Sequence, residues 1–176
     1  MTRRLPVPHY RQTTTDHACG PVCICMAIDF LLIGARRPKL DYVGIKEIEW
    51  LTMGCRLWSS KGTNYTHMKH AIRRSGCGCR EIGGGTDHAR RRELRRVIGA
   101  GHPVILGCIA EIGGHRYPHY VVLTGIDSEY IYIRDPFPKG RPSRVLVTDF
   151  EKNGNPTSWG NRRWAVKVYL KTKRRA

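Results

Sequence analysis

The stretch Cys19-Gly20-Pro21-Val22-Cys23-Ile24-Cys25-Met26-Ala27-Ile28-Asp29-Phe30-Leu31-Leu32-Ile33-Gly34 decides how this chain is read. Val22, Met26, Phe30 and Ile33 recur at offsets of four, four and three, a helical stripe. Cys23, Ile24, Ala27, Ile28 and Leu31 make most of the other faces apolar too. A helix apolar nearly all round is a buried one. Pro21 suits its first turn and Gly34 its end, so the stretch predicts a central helix over 20–33. Cys19 opens that helix, where the positive end of the helix dipole favours thiolate.

Outward from this helix the chain runs α first, then β. Residues 1–20, rich in Pro and Thr, read as extended chain or loop. Shorter helices are expected over Tyr42–Met53 and Asn64–Ser75, then a glycine-rich link around a brief strand from Cys77 to Gly85. Asp87 is the expected cap of a helix to Ile98, with Leu94, Val97 and Ile98 inward and arginines outward. Residues 103–110, 120–126, 130–134, 145–147 and 164–170 are β-branched or aromatic runs bounded by turns. The fold class is α+β: N-terminal helices, one of them buried, packed on a mostly antiparallel C-terminal sheet.

The whole chain is read as one domain, 1–176, with a core over 6–170 and a basic tail over 171–176. A composition 40% hydrophobic and 26% charged excludes disorder and fibrous repeats. The longest apolar run, Val22–Ile33, is too short to span a membrane and is interrupted by Asp29. No apolar stretch follows the basic start, so no secretory signal is read and a cytoplasmic location is expected. The seven cysteines, an odd number, argue against a disulfide framework and for free thiols. The net charge is +17, concentrated in His88–Arg96 and in Lys171–Ala176, with Arg3 and Arg4 adding to it. Such a balance speaks to partners rather than to fold: either a solvated basic surface or attraction to nucleic acid or an acidic protein.

The chemistry is expected where the two halves meet. His119 begins the strand to Ile126, a turn falls at Asp127-Ser128-Glu129, and Tyr130–Arg134 returns to Asp135-Pro136. If the hairpin centres on residue 127, His119 and Asp135 are equidistant from it and stand side by side on adjacent strands. Cys19, His119 and Asp135 then form an activated thiol nucleophile: Cys19 attacks, His119 carries the proton, Asp135 orients the ring. Gln12, seven residues before Cys19, is placed to set its amide beside the Cys19 N–H as an oxyanion donor, about 3 kcal/mol per donor.

These residues carry a resemblance. The Gln12…Cys19-Gly20-Pro21…Met26 block, the His119–Asp127 block and Asp135-Pro136 together resemble the C39 family of papain-like cysteine peptidases. Gly62-Thr63, Ser75-Gly76 and Gly101–Ile105 fall in the family's order, and the similarity covers roughly residues 6–170. The Gln-to-Cys distance is one residue longer than in many members. The resemblance implies a papain-like fold and cleavage of peptide bonds, often after a Gly-Gly leader on small secreted peptides. Members are commonly fused to an export transporter; no transporter segments are read here.

Competing readings give way. His17, Cys19, Cys23 and Cys25 offer zinc ligands, but Cys23 and Cys25 point to different sides of one helix, so no metal or cofactor is expected. Cys23 and Cys108 read as core residues. Ser158-Trp159-Gly160 resembles a papain segment, yet Thr157 precedes it and it lies 38 positions after His119, against 16 for Asp135. Gly83–Gly85 lacks a phosphate-loop context and reads as a link. The expected function is hydrolysis of a peptide or isopeptide bond through a Cys19 acyl-enzyme. The alternatives are acyl transfer to an amine on the same triad, and a non-catalytic basic binding module.

Overall fold

The computed structural model describes residues 4–12, 18–53, 63–83, 86–112, 115–137, 143–149 and 164–171. Four helices come early: α1 (Cys19–Gly34), α2 (Tyr42–Met53), α3 (Tyr65–Arg74) and, after strand β1 (Cys77–Glu81), α4 (Asp87–Gly99). Strands β2 (Val104–Ile112), β3 (His115–Ile126), β4 (Tyr130–Arg134), β5 (Ser143–Leu146) and β6 (Ala165–Leu170) follow. The strands form one sheet in the order β1-β6-β2-β3-β4-β5, and the pairings are antiparallel. This is the α+β class expected from the sequence. The last strand in the chain lies inside the sheet, between β1 and β2.

Helix α1 is buried as its composition demands: Cys23, Ile24, Met26, Ala27 and Ile28 are wholly inaccessible. It packs across β3, β6 and β2, meeting Val104, Ile105, Val122, Leu123 and Val166 in a single core. Asn64 caps α3 by accepting from the His67 N–H (2.8 Å). In α4 the cap is Thr86, whose hydroxyl accepts from the Ala89 N–H (3.2 Å); Asp87, the expected cap, is the first helical residue. Arg90 also departs from expectation. It is buried because it falls one turn before Leu94 on the stripe that faces the sheet, with Ile126, Ile131 and Val147 around the same pocket.

Two corrections concern the β-hairpin. His119 is the fifth residue of β3 rather than its first. Val122 pairs with Arg134 and Ile126 with Ile131, so the hairpin centre lies beyond residue 127. The register shifts between Leu123 and Gly125, which makes Thr124 the extra residue of a bulge. Pairing ends at Arg134, and Asp135 reaches His119 diagonally from just past the ladder. Ser158-Trp159-Gly160, Cys55, His17 and the basic tail beyond Lys171 lie outside the described residues.

Candidate active site

The site assembles around the first turn of α1. Gly20 is there because Thr63 leaves no room for more: a Cβ on residue 20 would sit 2.9 Å from the Thr63 Cβ and Oγ1. Thr63 is itself fixed, its carbonyl accepting from the Tyr120 hydroxyl (2.8 Å). Tyr120 stands edge-on to Tyr65 and Trp164, which stack on each other with centroids 4.5 Å apart. The α1 start, the α3 cap region and the beginning of β6 are thus locked together one residue from Cys19.

Across from Cys19, His119 Nε2 donates to Asp135 Oδ1 at 2.7 Å. That leaves Nδ1 as the ring nitrogen for the Cys19 thiol. Burial of the imidazole alone would lower its pKa. Hydrogen bonding to Asp135 and to Cys19, with the negative charge of both, outweighs burial and raises it from 6.5 to about 9. Burial pushes the Asp135 carboxyl up, but the His119 hydrogen bond and charge prevail and hold it below its ordinary value. The Phe137 N–H also donates to Asp135 Oδ1 (2.9 Å). Expected for the sequence pattern, the Cys–His–Asp set is brought together.

Gln12 is 5% exposed, and its amide oxygen is buried with no partner among the described residues. Its N–H donates to Pro136 O (2.8 Å), which binds it beside Asp135. Sequence reasoning missed His9, whose Nε2 donates to the Asp135 carbonyl (2.7 Å), and the Thr63–Tyr120 brace. Nothing local marks a histidine whose partner lies 126 residues away. Cys108 packs against the core, as expected, and stands directly opposite His119 in the β2–β3 register. The other cysteines of the region are muted: burial raises Cys23 and Cys108, and pushes Cys25 up to about 12.

The Peptidase_C39 like family model matches residues 4–163. The chain belongs to the Peptidase_C39 like family. Among curated proteins nothing matches at the sequence level. Solved structures with the C39 fold superpose over nearly the whole chain. A protein described as a C39-like peptidase from Bacillus anthracis gives a TM-score of 0.65 at 18% identity, covering 98% of this chain and 100% of its own. The peptidase domain of Streptococcus ComA, a bifunctional ABC transporter of a quorum-sensing pathway, gives 0.61 at 18% identity, with 94% and 99% covered. A double-glycine-motif protease from an AMS/PCAT transporter, solved with its leader peptide, gives 0.58 at 17% identity, with 95% and 98% covered. Family and fold put the C39-like chain among the cysteine peptidases. Among the described residues no helix is long and apolar enough to cross a membrane, and no His/Cys/Asp/Glu group is arranged to hold a metal.

Proposed function

We propose that the chain hydrolyses a peptide or isopeptide bond through a Cys19 acyl-enzyme, in the manner of papain-like thiol enzymes. The observation that carries this is the imidazole of His119, held by Asp135 on one nitrogen and facing Cys19 with the other. Cys19 attacks the acyl carbon, His119 delivers its proton to the leaving amine, and water then releases the acyl group with His119 as base. Asp135 keeps the ring oriented and supports the imidazolium. Gln12 and the Cys19 N–H stabilise the oxyanion. A peptide substrate accords with the leader peptide bound by one relative of this fold.

Limited alkylation with iodoacetamide at about pH 6, followed by peptide mapping, tests the reading, because ordinary thiols react slowly there. Cys19 is expected to label selectively and to lose that selectivity in His119→Ala. Cys19→Ala is expected to fold and to hydrolyse nothing. Slow, unselective labelling of Cys19, or activity in Cys19→Ala, would overturn the proposal.

A second reading, binding of an anionic partner, is favoured by one patch. Arg80 and Lys167 are directly opposed on β1 and β6, with Arg96 close by, and against these three cations Glu93, bonded to Arg80 (2.8 Å) and Arg96 (2.7 Å), sets one negative charge. Burial, together with the Arg80 and Arg96 charges, lowers the Lys167 pKa. Binding of duplex DNA that weakens steeply with salt would support this reading, and salt-independent binding or none would remove it.

A further inference from the structure

Residues 5–12 cross the molecule as an extended strap, joined to the rest by five hydrogen bonds among the described residues. Four go to the sheet or to its end just past β4. Leu5 N–H donates to Thr124 O (2.8 Å), and Arg134 Nε donates to Val7 O (3.1 Å). His9 Nε2 donates to Asp135 O (2.7 Å), and Gln12 N–H to Pro136 O (2.8 Å). The fifth goes elsewhere: the Tyr10 hydroxyl donates to Asp29 Oδ2 (2.6 Å) on α1.

Asp29 is a charged residue in an apolar setting. It is 2% exposed on a helix apolar all round, and burying a carboxylate is costly unless its oxygens are satisfied. Both are. One oxygen holds Tyr10 and the other accepts from the Leu40 N–H (2.7 Å). The carboxylate ties two segments of chain to α1.

Asp29 lies ten residues along α1 from Cys19, about 15 Å, and touches no group of the site. Its bearing on the reaction is through register. His119 and Asp135 ride on the sheet, Cys19 on α1 and Gln12 on the strap. An oxyanion donor has to sit within about 0.5 Å of its productive place relative to the nucleophile. Four bonds fix the strap to the sheet half, and Tyr10–Asp29 fixes it to the helix that carries Cys19. We propose that Tyr10 and Asp29 form the link that registers Gln12 against Cys19, as positioning residues for oxyanion stabilisation. The inference rests on Gln12 as oxyanion donor.

The test is a double-mutant cycle on p-nitrophenyl acetate hydrolysis, run beside iodoacetamide alkylation of Cys19. Tyr10→Phe keeps the ring and removes one hydroxyl. Gln12→Ala is expected to slow turnover about 100-fold, and Tyr10→Phe about 10-fold. The double variant is expected to be no slower than Gln12→Ala, since the link then has nothing to position. Alkylation forms no oxyanion and should keep its wild-type rate in all three. Asp29→Asn, which still offers an oxygen to Leu40 and an amide to Tyr10, should retain the turnover that Asp29→Ala loses. Multiplicative effects of the two single changes, wild-type turnover in Tyr10→Phe, or alkylation slowed in step with turnover would overturn the link. Wild-type turnover in Gln12→Ala would instead overturn the reading of Gln12 on which the link depends.

Discussion

His119 sets the pH behaviour of the site. Its pKa in the folded protein, about 9, lies above the 6.5 of the free side chain. The imidazolium proposed to protonate the leaving group therefore survives into mildly alkaline solution. Hydrolysis is expected to fall away above about pH 9, as kcat/KM measured across pH would show; an alkaline limb near 6.5 would contradict the pairing. The same shift has a stability counterpart. A raised folded pKa stabilises fully below 6.5 and loses that contribution as pH rises through about 9. Gly20 gives a second residue-level prediction. Gly20→Ala gains about 1 kcal/mol of helix propensity, but crowding a fixed neighbour costs about 1–3 kcal/mol. Thr63, braced by Tyr120, cannot yield, so the loss prevails and the variant should melt below wild type. A melt at or above wild type would refute that. Cys19, His119 and Asp135 were legible in the sequence because each sits at a recognisable element or turn. His9, Tyr10 and Thr63 were not, since their partners come from remote chain segments.

At the scale of elements, periodicity gave α1 almost to the residue, since an all-round apolar helix admits one environment. The hairpin was less legible. Thr124 fits a straight strand as well as a bulge, and its hydroxyl bond to Tyr132 O (3.1 Å) becomes visible only in three dimensions. The error moved the hairpin centre and left the His119–Asp135 meeting intact, because the carboxylate bridges the diagonal. The turn itself is pinned by Asp127. It accepts from the Glu129 N–H (2.9 Å), the Tyr130 N–H (2.7 Å) and the Tyr132 hydroxyl (2.7 Å). The Tyr132 hydrogen bond, then those from the backbone, lowers its pKa from 3.8 to about 2. A depressed carboxylate stabilises above 3.8 and ceases to do so as pH falls through about 2. Asp127→Ala should therefore lower the urea midpoint at pH 5 and narrow the gap to wild type at pH 2. An unchanged gap would mean the turn is held by other contacts.

At the scale of the whole molecule, +17 charges repel one another across a small surface. The ion pairs on α4 and β1 offset little of this, since Glu93 serves Arg80 and Arg96 together. Screening should relieve the repulsion. Raising sodium chloride from about 0.05 to 0.5 M, which shortens the Debye length severalfold, is expected to raise the melting temperature. A fall would show that favourable ion pairs outweigh the net charge. Charge was legible as a total and as local runs such as His88–Arg96, whereas the Arg80–Lys167 juxtaposition was not, because it depends on β6 pairing with β1.

That pairing bears on when the site can assemble. Cys19, His119 and Asp135 all precede residues 165–170 in the chain, and β1 has no neighbour in the sheet until β6 pairs with it. Placing β6 at an interior position of the sheet makes assembly of the site wait on residues 165–170. A chain cut after Gly160 should accordingly be inert toward p-nitrophenyl acetate although every reacting group is present; turnover by that fragment would show that the site assembles without β6.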